Sequence, residues 1–255
     1  MIMKEFKKDN LQVKIMPTRD EMGKVAAADI YNKIKELLAQ KAEINMIFAA
    51  APSQNDVLQS LIAYSDIAWD RINAYHMDEY IGLRPELSDK SFGTYLTDHI
   101  FGKVPFKSIN LINGLSTDGE AECARYSQLL KENPTDIVVM GIGENGHIAF
   151  NDPWVADFND PKMVKTVPLD DVCRQQQVND GCFAAFDLVP THAITLTCPT
   201  LYAGKNLFCI VPAPTKAAAV KRTIEGEISE ECPATILRKH ASAVLYLDGD
   251  SSAKL

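Results

Sequence analysis

Short apolar runs alternate with amphipathic stretches along most of the chain. INMIFAAA (44–51), DIVVMGIG (136–143), NLFCIVP (206–212) and SAVLYLDG (242–249) are nearly continuous in apolar residues, which predicts strands covered on both faces. LQVKIM (11–16), RINAYHMD (71–78), INLING (109–114), MVKTV (163–167) and HAITLT (192–197) predict further strands. Between them, Ala26, Ile30, Ile34 and Leu38 recur at helical spacing and define one face of a helix over 18–40. Helices are also expected from about Ser53, over 91–101, over 118–132 with Asp118 as N-cap, and over 214–226. Pro214 suits the first turn of the last of these and Gly226 its end. This alternation predicts an α/β fold, an open, mostly parallel, doubly wound sheet with helices on both faces (Rossmann-like). No internal repeat or Pro/Gly/Ser-rich linker divides the chain, so residues 1–255 are expected to form one domain.

Composition narrows the function classes. The net charge is −8 and no lysine/arginine run is present, which argues against a nucleic-acid partner. An acidic chain that binds an anion needs a few well-placed cations. The six cysteines, at 123, 173, 182, 198, 209 and 232, show no C-x-x-C spacing and are too sparse for a disulfide framework. Reduced thiols in a cytoplasmic protein are the expectation. The N-terminal stretch has no signal-peptide pattern, and no apolar run approaches the ~18 residues of a membrane span.

In a parallel α/β sheet the ligand sits beyond the carboxyl ends of the strands, so the residues just after each strand carry the chemistry. Residues 141–146, Gly-Ile-Gly-Glu-Asn-Gly, spell G-x-G-x-x-G. A dinucleotide site needs a helix directly afterwards, whereas here Pro153, Pro161 and Asn-Asp pairs follow. The stretch therefore reads as a glycine-rich turn, with Gly143 and Gly146 letting a ligand approach and Glu144, Asn145, His147, Asn151 and Asp152 lifted toward the strand ends. Asp78 and Glu79 follow the strand at 71–78, and a strand-end carboxylate suits a general base. The plainer alternative for Glu79 is a cap or an ion pair. Ser53 and Gln54, in the first parallel βα turn, suit an anion. Lys216 opens a helix where a cation is unfavourable unless an anion sits beside it. His76, His99 and His192 fall within or beside predicted elements. His240 ends a short helical stretch, where a cation is favourable. No histidine/cysteine set has metal-ligand spacing, so no metal is expected.

Together, Met77-Asp78-Glu79-Tyr80-Ile81-Gly82-Leu83, Gly146-His147-Ile148-Ala149-Phe150-Asn151-Asp152-Pro153 and the Pro214-Thr215-Lys216-Ala217 helix start resemble the glucosamine-6-phosphate deaminase/isomerase family, which is related to the 6-phosphogluconolactonases. The resemblance covers most of the chain. It implies a reaction without metal or cofactor, in which glucosamine 6-phosphate and water give fructose 6-phosphate and ammonia. A histidine matching His147 assists ring opening, an aspartate matching Asp78 moves the C2 proton to C1, and a cationic pocket anchors the phosphate.

The chain departs from the family pattern in that pocket. Asn145 stands where the family has an aspartate, and an amide orients an imidazole without charging it. Asp152 replaces a glutamate and is one methylene shorter, so a water-mediated contact is expected in place of a direct one. The phosphate loop keeps a hydroxyl at Ser53 but loses its glycines at 50–52. For the arginine that completes the family's phosphate site, Arg174 is the nearest candidate, although the register places Asn179 there. Asn before Gly-His also fits a relative acting on galactosamine 6-phosphate. A lactonase-like hydrolase and a non-catalytic sugar-phosphate-binding protein are the alternatives. The chain ends soon after its last strand, which leads us to expect a monomer or small homo-oligomer without the regulation of extended, hexameric members.

Overall fold

The computed structural model describes residues 2–255. In chain order the elements are β1 (Lys4–Lys8), β2 (Leu11–Ile15), α1 (Arg19–Leu38), β3 (Ile44–Phe48), α2 (Asn55–Ile62), β4 (Ile72–His76), β5 (Asp78–Tyr80), α3 (Phe92–Leu96), β6 (Ser108–Asn110), α4 (Gly119–Glu132), β7 (Ile137–Met140), β8 (Val164–Pro168), α5 (Asp171–Asn179), β9 (His192–Leu196), α6 (Cys198–Tyr202), β10 (Asn206–Val211), α7 (Ala217–Glu225) and β11 (Ala243–Leu247). Eight strands form one open sheet in the order β1-β2-β11-β10-β7-β3-β4-β6, parallel throughout except for the β1–β2 hairpin.

The period of two along the central strands explains why both faces are covered. Met46 and Phe48 of β3, Ile137 and Val139 of β7, and Phe208 and Ile210 of β10 join α1 and α2 in one apolar cluster. The intervening Ile47, Val138, Met140, Leu207, Cys209 and Val211 join α4 and α7 in the other. Each side chain is at most 5% exposed, and burying one such aliphatic group contributes roughly 1.5–3 kcal/mol. The continuous apolar runs follow from that two-sided burial. Thr18 and Asp118 cap α1 and α4 by accepting from the backbone N–H groups of Glu21 and Ala121.

From β3 the chain moves outward through β4 to β6; from β7 it moves the other way through β10 to β11. The order reverses between β3 and β7, and a crevice opens beyond the carboxyl ends of the strands there.

The strands predicted at 163–167 and 192–197 do not enter this sheet. As β8 and β9 they pair antiparallel with each other and with β5 in a separate three-stranded sheet. A break at Met77 separates β5 from β4, and the Met77 carbonyl accepts from Leu196 N–H. The polar start of the chain, KEFKK, forms the edge strand β1, turning at Asp9 with φ 52°. α5 is a further helix that hydrophobic periodicity does not reveal, and Asp170 caps it. Among the described residues no helix is long and apolar enough to cross a membrane.

Candidate active site

The crevice is a cleft whose walls come from the ends of β3, β4, β7 and β10 and from α5. It brings together Ser53, Gln54, Asp78, Gly143, His147 and Lys216, together with Gln176, Gln177 and Asp180.

The turn after β7 positions the imidazole. Gly146 has φ +91°, a conformation an L side chain rarely adopts, and Ala234 N–H donates to its carbonyl. This turn carries the chain back so that Gly143 N–H donates to the His147 carbonyl at 2.9 Å. Gly143 lies under the ring, and a Cβ there would collide with its nitrogens. Asn145 Oδ1 accepts from the His147 backbone N–H at 3.0 Å, which fixes the amide's orientation. The same oxygen lies 2.8 Å from His147 Nδ1, so Nδ1 carries the proton and Nε2 keeps its lone pair. Asn145 Nδ2 donates to Asp152 Oδ1 at 2.8 Å.

Asp152 departs from the expectation of a water-mediated contact: its Oδ1 lies 3.1 Å from His147 Nδ1. The short carboxylate reaches because the Ile148–Asn151 bridge folds the segment tightly and Ala149 takes φ 49°. Burial alone would raise the Asp152 carboxyl. The adjoining His147, with Asn145, outweighs that and holds it below its ordinary value. The charge that Asn145 lacks is thus supplied by Asp152. Asn151 is structural, donating to the carbonyls of Ile148 and Leu196.

Asp78 and Glu79 lie on opposite faces of β5, as successive strand residues must. Asp78 lines the cleft. Burial, and then the Glu79 charge, raise its carboxyl well above the usual range. Glu79 is turned away and does not belong with the cleft residues. It accepts from Phe92 and Gly93 N–H at the start of α3 and from Tyr80 N–H. It therefore caps α3, and burial lifts it to about 7 despite those three donors.

Lys216 also lines the cleft, 5% exposed, and its ammonium has no hydrogen bond or ion pair among the described residues. Burial lowers its ammonium below the ordinary lysine value, an effect that Asp180 and Glu144 oppose. The turn into this lysine places Ala213 at φ +83°, strained for a residue with a Cβ, and the Asp248 carboxylate receives the Ala213 N–H. The carboxamide nitrogen of Gln54 is used inside the protein, donating to Ser53 Oγ and the Ile210 carbonyl, while its Oε1 has no partner. It ties the β3 turn to β10 and leaves the Ser53 hydroxyl toward the cleft.

Arg174 is not in the cleft. Its guanidinium donates to the carbonyls of Phe186 and Val189 and stacks 4.0 Å over the Phe186 ring. Its position on α5 points it at the 186–189 turn, while Gln176, Gln177 and Asp180 reach the cleft. His240 is also not a cation favoured by a helix end. It is buried, its Nδ1 accepts from Ser242 N–H and its Nε2 meets the Gly204 carbonyl, and burial lowers its pKa. His76 is buried in β4, accepts from Ile112 N–H, and is pushed down to about 3 by burial. The cleft contacts from α5 and the Asp248 brace have no motif in the sequence. The run of Asp170 and a polar helix after a strand was the only available signal.

Comparison with known proteins defines the class. The family profile of glucosamine-6-phosphate isomerases/6-phosphogluconolactonase matches residues 17–157. The chain belongs to this family. It is 34% identical over 233 residues to a glucosamine-6-phosphate deaminase of Listeria monocytogenes serovar 1/2a, covering 91% of this chain and 97% of that one. A glucosamine-6-phosphate deaminase of Streptococcus sanguinis is likewise 34% identical, over 92% of this chain and 95% of its own. A solved monomeric glucosamine-6-phosphate deaminase superposes with a TM-score of 0.85 at 29% identity, over 95% of this chain and 99% of that one. The 6-phosphogluconolactonase of Thermotoga maritima shares the fold, with a TM-score of 0.74 at 18% identity, over 93% and 99% of the two chains.

Gly143→Ala is expected to displace the His147 ring and break its Nδ1–Asn145 hydrogen bond. Proton NMR of the imidazole N–H region checks this: the His147 Nδ1 proton visible in the parent protein should disappear into exchange with water. Its persistence unchanged would show that Gly143 does not set the ring.

Proposed function

We propose that the protein is an amino-sugar-phosphate deaminase/isomerase converting glucosamine 6-phosphate and water to fructose 6-phosphate and ammonia. The observation that carries the reading is the combination of groups in one cleft: an unpartnered, buried Lys216 ammonium, a buried carboxylate and an Asp152-braced imidazole. A buried cation without a partner is costly, and a phosphate dianion supplies what it lacks. Ser53, which lines the same cleft, offers a neutral hydroxyl donor.

In this reading, His147 Nε2 takes the proton of the C1 hydroxyl and returns one to the ring oxygen, opening the pyranose. Asp152 and Asn145 hold Nδ1–H and stabilise the imidazolium that forms in between. Asp78 removes the proton from C2 of the open aldehyde while a proton of the C2 ammonium passes to O1, giving an enolamine, and then returns its proton to C1. The C2 imine so formed adds water and releases ammonia, leaving the ketose. A raised Asp78 carboxyl suits a base that must later give back its proton. The substrate's own C2 ammonium, arriving next to Asp78, favours the ionised carboxylate.

Asn145 keeps the C4 epimer, galactosamine 6-phosphate, as a second substrate to consider, since the amide changes the charge pattern beside the sugar. A monomer or small homo-oligomer fits the solved monomeric relative. A reducing cytoplasm fits six free cysteines.

The test is ammonia release from glucosamine 6-phosphate and galactosamine 6-phosphate side by side. Turnover of either supports the class and assigns the C4 preference; binding without ammonia from either refutes it. Asp78→Asn should lower kcat by about 10²–10⁴-fold, the usual worth of a general base, with unchanged thermal stability; near-parental turnover would remove Asp78 from that role. Because the Asp78 carboxyl is raised, it is protonated and inactive as a base at low pH. kcat/KM should therefore fall with decreasing pH at a limb well above 3.8, the ordinary aspartate value. Glu79→Gln, which removes a charge that raises Asp78, should move that limb downward.

A further inference from the structure

Behind the cleft three side chains converge. One ligand atom each from His147, Asp152 and Cys173 lies within 4.8 Å of the others. Two come from the turn after β7, and Cys173 comes from the first turn of α5. Asp152 and Cys173 are wholly buried, and His147 is the member that lines the cleft. The role of Asp152 beside His147 accounts for only one of its oxygens. Oδ1 meets Asn145 and His147, whereas Oδ2 meets no nitrogen or oxygen donor and the carboxylate's one further donor is the Cys173 thiol. A thiol is a weak donor, so this wholly buried oxygen is poorly compensated, and nothing in the proposed proton transfers uses it.

The donor set is specific. Imidazole nitrogen, carboxylate oxygen and cysteine sulfur together suit Zn²⁺ and its neighbours rather than Mg²⁺ or Ca²⁺, which take oxygen ligands. Zinc bonds of about 2.0–2.3 Å place tetrahedral ligands roughly 3.4 Å apart. His147 Nδ1 and Asp152 Oδ1, at 3.1 Å, already have that spacing. The charge also balances: a dication with one thiolate and one carboxylate is neutral, so it can occupy a buried position where a lone cation could not.

We infer that His147, Asp152 and Cys173 form a site for a thiophilic divalent cation, Zn²⁺ fitting best, whose occupancy takes the imidazole out of service. On binding, the Cys173 S–H bond breaks heterolytically, its proton leaves to water and a metal–sulfur bond forms. The Nδ1 proton of His147 likewise leaves to water, and its lone pair goes to the metal. No electron transfer is involved. Among the described residues no fourth protein ligand converges, so water completes the tetrahedron. The ion enters through the cleft past the His147 ring. Once bound, it holds the imidazole away from its proton-transfer position. The site rests on the donor set alone, while its effect on turnover rests on the deaminase reading.

The first experiment titrates the purified full chain, reduced and freed of metal, with Co²⁺. A thiolate-to-cobalt absorption band that Zn²⁺ displaces is expected from the parent protein and lost in Cys173→Ser. Cys173→Ala replaces the serine variant if a buried hydroxyl prevents folding, which circular dichroism checks. No thiolate band in the parent, or the same band in the variant, would overturn the site. In the ammonia-release assay Zn²⁺ should inhibit reversibly by chelator. Cys173→Ser should keep its metal-free activity and need about tenfold or more Zn²⁺ for the same inhibition, the order of loss on removing support from a metal site. Equal sensitivity of parent and variant would contradict the proposed switch. A cobalt band without ammonia release from any substrate would sink the deaminase reading and leave the metal site standing.

Discussion

The reversal of strand order between β3 and β7 is the constraint on which the rest of the structure depends. Parallel strands buried on both faces cannot supply a polar site from their own middles. The reversal sends connections away in opposite directions and leaves a crevice that they do not cover. Four cleft groups then come from chain just beyond a carboxyl end, Ser53 after β3, Asp78 after β4, His147 after β7 and Lys216 after β10, and α5 adds Gln176, Gln177 and Asp180. The small antiparallel sheet does the remaining work by fixing β5, and with it the direction in which Asp78 points.

Within that crevice, charges are distributed unequally between paired and unpaired groups. Asp152 is held by His147 and Asn145, while Glu79, outside the cleft, is held by three backbone N–H groups. Asp78 and Lys216 have no such partners, and burial displaces both toward their neutral forms. Two destabilised charges of opposite sign lining one cleft suit a ligand that carries both an anion and an acidic C–H beside a cationic nitrogen. An amino-sugar phosphate has that shape. The strained Ala213, braced by Asp248, indicates that the position of Lys216 is imposed by the surrounding structure and is not simply a consequence of helix geometry.

Much of this was legible in the residues. The central strands announce themselves by two-sided burial, and the glycine turn at 141–146 has no helix directly behind it, as Pro153 and the Asn-Asp pairs imply. What could not be read depended on partners distant in sequence. MVKTV and HAITLT look like any strand, and only Met77 and β5 decide that they form a second sheet. Asp78 and Glu79 are equivalent as letters; the strand break at Met77 decides which of them faces the cleft and which caps α3. Arg174 seemed the nearest cation for a phosphate, but α5 turns it onto Phe186 and brings Asp180 and two glutamines to the cleft instead. The one-methylene loss at Asp152 suggested a gap, which the tight backbone at Ala149 closes. In each case the deciding quantity is direction, which spacing alone does not encode.

The central claim is that the buried Lys216 ammonium is completed by the substrate's phosphate. Calorimetric binding of glucosamine 6-phosphate and of unphosphorylated glucosamine to the Asp78→Asn protein, with Lys216 intact or replaced by alanine, tests it most directly. The account predicts that the intact lysine gives a strong preference for the phosphorylated sugar, and that Lys216→Ala removes about 1.5–3 kcal/mol of it, the worth of a charge-assisted hydrogen bond. Equal affinity for glucosamine 6-phosphate with and without Lys216 would contradict it.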